Sequence, residues 1–317
     1  MSSSAQIEES ELVELVSQLM KGYTDAATKG DAFPAVATQL GDQGLWCPMA
    51  PSEIGGADLP FDLGLRYLRA LASRWPALAW ASAQANAVAA ALERTAGEPS
   101  PLAEVISGTS LVSVAGHSGP ASTVARVDSF GSPELLVLVD REGESFIYRG
   151  HGMDVYSADG SGLAGTTPSV VSLRSIPDAL AARVGDCRRW LALSAAAVAC
   201  GVAEDALARS RSYASDRRQF GQLLIEIPIV RRRIEKYEEL VATVWSRIVE
   251  RAGSSESGLA LDVLDVLDVT LTVAIDTCAI AVQTLGGYGY IREYQVEENL
   301  RDVLSLRAST AWMVESP

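Results

Sequence analysis

Two short stretches hold the residue types that could bind an anionic cofactor. The first, residues 213–221 (YASDRRQFG), ends a long alanine-rich helical pattern and places Arg217 and Phe220 at a break between helices. An arginine at such a break suits a fixed, forked contact to phosphate, with the aromatic residue and the glycine shaping the surface around it. The composition of this stretch taken alone still favours a simpler interpretation, a helix cap with solvated arginines.

The second stretch, residues 283–290 (QTLGGYGY), follows the end of a later helical pattern. Gly286 and Gly287 could cap that helix, which is the usual reason for glycine at such a position. They could equally let a nucleotide lie against bare backbone. No strand precedes them, so the stretch is not a dinucleotide-binding fingerprint, and capping is the favoured interpretation of this stretch taken alone.

The remaining residues that could do chemistry do not predict a metal site. Asp262, Asp265 and Asp268 recur at every third position and lie among leucines, as expected for the solvated face of a helix. The four cysteines and two histidines are scattered, without the close Cys-x-x-Cys pairing of a zinc site. We therefore expect no metal, and we expect reduced core thiols in a cytoplasmic protein.

Charge and hydropathy exclude several classes of partner. The chain has 317 residues and a net charge of −14, which argues against a nucleic-acid surface and against general affinity for anionic membranes. The N-terminal residues lack the basic and apolar regions of a signal peptide. The longest apolar run, residues 190–203, is shorter than the about 20 residues that span a bilayer.

Periodicity divides the chain into three predicted domains. Residues 1–103 show amphipathic helical patterns interrupted by a loop with two glycines, Gly55 and Gly56. Residues 104–180 contain short valine-rich segments between turn residues, which is typical of a small antiparallel β domain. Residues 181–317 contain four long helical patterns with short joints, which predict an antiparallel four-helix bundle. The fold class is therefore mainly α with a small central β domain.

This order of domains, together with three motifs, resembles the acyl-CoA dehydrogenase family over nearly the whole chain. Residues 51–56 (PSEIGG) are similar to that family's Pro-Glu-Glu-Tyr-Gly-Gly loop, and residues 213–221 are similar to its signature in the bundle. The second stretch, continued through Glu293-Tyr294 and Arg301-Asp302, is similar to a further family signature. Three motifs in the same order are far more specific than any one of them.

The resemblance implies FAD as the cofactor. In the family, FAD lies across a subunit interface, with the flavin ring against the β domain of one subunit and the pyrophosphate and adenosine reaching the bundle of its neighbour. Pro228 stands where the family has a glutamine of this clamp, which removes one polar contact. The residues that match the clamp by position are Arg217, Phe220, Gln283, Gly286 and Gly287.

The resemblance also shows what is missing. The family's base is a glutamate that takes the α-proton of an acyl-CoA while a hydride moves to the flavin, and counting from the Arg-Asp pair places Thr310 there. Some relatives carry the base on the first bundle helix, where this chain has Arg188 or Leu191, depending on the alignment. None of the three can take a proton from carbon at neutral pH. The β region also lacks the family's Thr-Glu-Pro and Trp-Ile-Thr/Ser segments.

These features predict the shorter, non-catalytic subunit of a heteromeric (α2β2) FAD-dependent acyl-CoA dehydrogenase. A full-length paralogue would hold the base, the flavin ring and the acyl-CoA. Such complexes resemble those that dehydrogenate CoA thioesters of steroid side chains during β-oxidation in actinobacteria. Two alternatives stay open: a self-sufficient flavoenzyme with Glu298 or Glu315 as an unrecognised base, and a non-flavin assembly protein that kept only the fold.

Overall fold

The first part of the chain is helical. The computed structural model describes residues 9–23, 26–93, 101–116, 125–129, 135–139, 144–149, 153–157, 160, 162–173, 182–183, 185–253 and 261–314. The first helices are α1 (Glu9–Leu19), α2 (Ala26–Asp42), α3 (Phe61–Ala72), α4 (Pro76–Glu93) and the short α5 (Leu102–Ile106). The loop between α2 and α3 contains the predicted glycine pair, and Gly55 adopts a φ of 101° there.

Two small sheets follow. The strands are β1 (Val112–Gly116), β2 (Ala125–Ser129), β3 (Leu135–Val139), β4 (Glu144–Arg149), β5 (Met153–Ser157), β6 (Thr167–Leu173) and β7 (Ala182–Arg183). One sheet has the order β1-β3-β4-β7 and the other has the order β2-β6-β5. Strands β5 and β7 were not predicted, because β5 is not valine-rich and β7 is too short to show a period.

The prediction of a wholly antiparallel β domain was wrong at one pair. Strands β1 and β3 run parallel, with Val114 opposite Val137, whereas the other described pairs in the two sheets are antiparallel. The reason is that β2 leaves the sheet of its neighbours and pairs with β6 instead. The chain therefore re-enters the first sheet at β3 in the same direction as β1.

A helical bundle forms the last part of the chain. Its elements are α6 (Gly185–Asp216), the hairpin strands β8 (Arg218–Gln219) and β9 (Gln222–Leu223), a 3₁₀ turn (Leu224–Glu226), α7 (Pro228–Ala252), α8 (Leu261–Leu285), two further 3₁₀ turns (Gly286–Tyr290 and Arg292–Tyr294) and α9 (Val296–Val314). The apolar period of the sequence predicts the four helices over residues 188–212, 229–252, 259–285 and about 296–313, and the observed bounds lie within about one turn of these. The predicted mainly α fold class is confirmed.

Helix α6 lies at the centre of the molecule and explains why one part of the sequence is so rich in alanine. A Cβ atom added to Gly201 would lie 2.1 Å from the carbonyl oxygen of Arg69, so α3 and α6 approach closely. By length and composition the segment Arg188–Asp216 could cross a membrane, but 83% of its apolar window is buried inside the protein. The segment is therefore the core helix of a bundle that also packs against the N-terminal helices.

Candidate functional site

A tight hairpin presents Phe220 between α6 and α7. Strand β8 pairs with β9 in a register that leaves Phe220 and Gly221 as the two central residues. Both have positive φ, 52° and 82°, as in a type I′ turn. A non-glycine residue in this region carries strain of roughly 1 kcal/mol, yet the Phe220 side chain is 92% exposed. Packing within the chain does not offset the strain, so the ring is available to a ligand or to another chain.

The structure brings the two predicted stretches together at one end of the bundle. The guanidinium of Arg217 lies 5.5 Å from the ring centroid of Tyr288, which is within the range of a cation–π contact. The ring of Tyr213 lies 6.1 Å from that of Tyr288, and Tyr294 completes a triad at 5.7 and 5.6 Å. These aromatic contacts hold the end of α6 against the 3₁₀ turns that follow α8.

A cleft of about 440 Å³ opens beside the aromatic triad. Its lining residues are Arg209, Ser212, Tyr213, Asp216, Arg217, Tyr288, Glu293 and Tyr294. Although two carboxylates line the cleft, Arg217 forms no ion pair with any part of the chain that the structure describes. Its planar fork of N–H donors is therefore available to an anion.

The two glycines that directly follow α8 differ in whether the fold requires glycine at their position. Gly286 has a φ of 60° directly after the last helical residue, which is the left-handed cap that ends many helices. Gly287 lies outside the left-handed region, and a Cβ atom there would meet nothing within 4 Å. The fold therefore requires glycine at 286 and has no visible need for it at 287.

Gln283 is exposed on the last turn of α8 and has a partner that the sequence did not suggest. The Nη1 atom of Arg233, on the second turn of α7, donates to Gln283 Oε1 at 3.1 Å. The two residues are 50 positions apart, so no local pattern could have paired them. In the sequence, Arg233 differs from its surroundings only as the last of three consecutive arginines, residues 231–233.

Thr310, which the sequence resemblance aligns with the family's base, lies in the core. Its side chain is fully buried, and its hydroxyl donates to the Leu306 carbonyl at 2.9 Å within α9. Arg188 and Leu191 are the two positions that align with the base of other relatives. Leu191 is fully buried, and the guanidinium of Arg188 lies 5.5 Å from the ring centroid of Trp312. None of the three side chains can serve as a base.

Helix α9 lies directly on the sheets beside Thr310. The Ser309 hydroxyl donates to the carboxylate of Asp128 on β2. A Cβ atom added to Gly116 on β1 would lie 2.6 Å from Trp312 Cβ. A planar ring between two surfaces needs a gap of about 7 Å, since each face requires a van der Waals contact. No such gap exists at these contacts.

A second, more polar cavity of about 270 Å³ lies nearer the N-terminal end of α9. Lys29 of α2, the backbone of the glycine-containing β5–β6 loop, and Glu298 and Asp302 of α9 line it. The Leu163 N–H donates to Asp302 Oδ1 at 2.5 Å. Burial raises the pKa of Asp302 to about 6, against the opposing effects of this hydrogen bond and of Lys29. Burial also lowers the pKa of Lys29.

The raised pKa of Asp302 gives the stability of the fold a defined pH dependence. The folded chain holds this proton more tightly than the unfolded chain, in which the pKa is near its ordinary value of 3.8. The stabilisation by the proton is therefore complete below about pH 3.8 and is lost as the pH rises through about 6.

The aspartate stripe on α8 has a structural explanation. Asp262 pairs with Arg251 at 2.8 Å and Asp268 pairs with Arg307 at 2.9 Å. Within the described ranges no group of three His, Cys, Asp or Glu side chains could hold a metal ion. Three free cysteines are buried, and burial raises the pKa of each thiol; they are Cys47, Cys200 and Cys278.

Sequence comparison finds matches to residues within the bundle. Residues 189–310 match the model of the acyl-CoA dehydrogenase C-terminal domain. A short-chain-specific acyl-CoA dehydrogenase of Clostridium acetobutylicum is 33% identical over 110 residues, which cover 34% of this chain and 29% of that protein. The CarC subunit of the caffeyl-CoA reductase–Etf complex of Acetobacterium woodii is 30% identical over 118 residues, which cover 35% and 30%. The chain thus aligns with less than a third of the length of these curated relatives.

Structural comparison extends over the whole chain. A structure titled PigA with FAD and proline matches with a TM-score of 0.82 and 14% identity, over 98% of this chain and 95% of that one. Butyryl-CoA dehydrogenase of Megasphaera elsdenii matches with a TM-score of 0.74 and 17% identity, over 98% and 96%. This chain therefore has the fold of the acyl-CoA dehydrogenases, and residues 189–310 match the model of that family's C-terminal domain.

Proposed function

We propose that this chain is a subunit of a heteromeric, FAD-dependent acyl-CoA dehydrogenase. In this proposal it binds the adenosine and pyrophosphate side of FAD, and a full-length paralogue supplies the base, the flavin pocket and most of the acyl-CoA site. When bound, FAD supplies the hydride acceptor for α,β-dehydrogenation of a CoA thioester. Arg217, Phe220, Gln283, Gly286 and Gly287 are the residues of this chain that would hold the cofactor.

One contrast carries the proposal: the clamp end of the bundle is open, whereas the position of the base is closed. At the clamp, Arg217 has no ion pair among the described residues, Phe220 is exposed, and Gly287 has open space beside it. At the base position, Thr310 is buried and α9 contacts both sheets. The residues fit the phosphate side of FAD and do not fit its ring side.

The relatives support the reaction class. Acyl-CoA dehydrogenases are among the curated relatives, and one structural neighbour is titled as a complex of PigA with FAD and proline. CarC is named as the subunit of a complex, which supports a multi-subunit setting for this bundle. A CoA thioester with a steroid side chain is our proposed substrate, and a cytoplasmic heterotetramer is our proposed assembly.

Native purification of the tagged chain tests the proposal. Intact-mass measurement of the complex, with a flavin spectrum, should give two different subunits and one FAD per heterodimer. Steroid side-chain CoA thioesters should reduce the flavin faster than short-chain acyl-CoA. A homodimer of this chain with full flavin occupancy and dehydrogenase turnover would refute the partner role.

Replacing Arg217 tests whether the clamp binds FAD. Arg217→Met should weaken FAD retention by roughly ten- to a hundredfold, because a hydrogen bond to a charged group contributes about 1.5–3 kcal/mol. Arg247→Met, an exposed position on α7, is the matched control. Unchanged assembly and unchanged FAD content in Arg217→Met would indicate an assembly protein without a flavin role.

A second candidate, a self-sufficient flavoenzyme, is favoured by one observation. Asp128 brings a carboxylate to Ser309, the residue beside Thr310, where the sequence predicts none. Glu298 lies about 18 Å from Thr310 along the axis of α9, and Glu315 lies outside the described residues. If the purified chain turns over acyl-CoA alone, and Asp128→Asn abolishes turnover while the fold is retained, this candidate replaces the first.

A further inference from the structure

The contact between Arg233 and Gln283 restricts the kind of ligand that can bind at the end of α8. Arginine has only donors, so the atom that faces Arg233 must be the amide oxygen of Gln283. The amide NH2 group then points away from Arg233. The contact occupies one lone pair of the amide oxygen, so the groups that the pair leaves for a ligand are mainly N–H donors.

Arg233 also lacks the carboxylate partner that a solvated helix arginine usually has. Its neighbours at three and four positions on α7 are Ile229, Val230, Lys236 and Tyr237, and none of these is acidic. Arg231, two positions earlier, does pair with Glu235 at 3.8 Å. In the chain as described, Arg233 has no ion pair, although the protein as a whole carries a net charge of −14.

The position of Arg233 does not serve helix stability either. It lies on the second turn of α7, whose first turn contains no acidic residue. Positive side chains near the N-terminus of a helix oppose the helix dipole rather than complement it. The same end of the helix, with the charge of Arg233 added, favours a bound anion.

We propose that Arg233 is a further cofactor-binding residue, which orients the Gln283 amide and donates with it to a phosphate oxygen of FAD. Arg217 would bind the cofactor from the end of α6, and the Arg233–Gln283 pair would bind it from α7 and α8. Pro228 lacks the polar side chain that the family has there, and Arg233 lies five positions later on the same helix. This inference rests on the proposed binding of FAD at the clamp.

The test measures FAD retention in the complex purified through the tagged full-length chain. The rate of FAD release is followed by the recovery of flavin fluorescence. Arg233→Met should release FAD about tenfold faster than the wild type, and Arg233→Lys, which keeps the charge but not the fork, should fall between them. Arg247→Met, about 21 Å along α7 from residue 233, should release FAD at the wild-type rate.

A second variant separates binding from folding. Gln283→Glu keeps a partner for Arg233 and converts the contact into an ion pair, so the melting temperature of the chain should be unchanged or higher. It removes the amide donors, however, so FAD release should accelerate at least tenfold. A merely structural contact between Arg233 and Gln283 predicts no acceleration in this variant.

The outcomes distinguish the two proposals. If Arg217→Met accelerates release but Arg233→Met and Gln283→Glu both behave as the wild type, Arg233 is not a cofactor residue and the proposed function stands. If the wild-type complex holds no FAD, or Arg217→Met retains FAD unchanged, the proposed function is refuted. The inference about Arg233 is then refuted as well, because it depends on that function. Acceleration in Arg233→Met and Gln283→Glu, with the wild-type rate in Arg247→Met, supports the inference.

Discussion

An alanine series across the glycines after α8 separates a structural requirement from a binding requirement. Gly286→Ala should destabilise the isolated chain by about 1 kcal/mol, because φ is 60° there. Gly289→Ala should cost roughly 1–3 kcal/mol, because its Cβ would lie 2.6 Å from the Val282 carbonyl oxygen. Gly287→Ala should leave stability unchanged, or raise it by about 0.4–1 kcal/mol, because its Cβ would meet nothing within 4 Å.

The informative variant is Gly287→Ala. If a nucleotide lies against bare backbone at this point, the added methyl group displaces it. We expect FAD affinity to fall at least tenfold, which is about 1.4 kcal/mol, in a chain that is no less stable than the wild type. Urea unfolding of the isolated chain measures its stability, and the rate of flavin release from the complex reports the affinity for FAD.

One result would refute this reasoning. If Gly287→Ala unfolds as predicted but retains FAD as the wild type does, the glycine pair serves only the end of the helix. Gly289→Ala is the matched control for indirect effects, because it should lower the stability of the chain. Its effect on FAD release should be limited to what a shift of the local backbone causes.

Three further predictions concern other parts of the molecule. Phe220→Asn should stabilise the isolated chain by roughly 1 kcal/mol in urea unfolding, since Asn-Gly suits a type I′ turn, and should weaken FAD retention or subunit assembly; wild-type behaviour in both would leave the exposed ring without a role. Asp302→Asn should remove roughly 2 kcal/mol of the fall in unfolding free energy between pH 4 and pH 8; an unchanged pH profile would mean that the pKa is not raised. Thr310→Glu should lower the melting temperature sharply without adding turnover, because it buries an unpaired carboxylate, whereas Thr310→Val should melt near the wild type; a stable and active Thr310→Glu would mean that the base position is open.

Much of the fold follows from local periodicity. The long apolar repeats predict α6 to α9 within about one turn, because helix formation depends mainly on neighbours a few positions apart. Strand pairing was harder to predict from the sequence. No local pattern shows that β2 pairs with β6 rather than with β1, so the parallel pair was not predicted. Strand pairing depends on residues far apart in the sequence, and only the folded chain determines it.

The candidate site divides in the same way. The sequence alone predicted which residues could form the clamp, since Arg217 and Gly286 lie in short motifs, and its resemblance to the family aligns Thr310 with a glutamate. Only the tertiary structure decided that Arg233 donates a hydrogen bond to Gln283 across 50 positions and that Ser309 donates one to Asp128 across 181. A residue's type follows from the sequence, but its partners, its burial and therefore its charge state depend on what the fold packs against it.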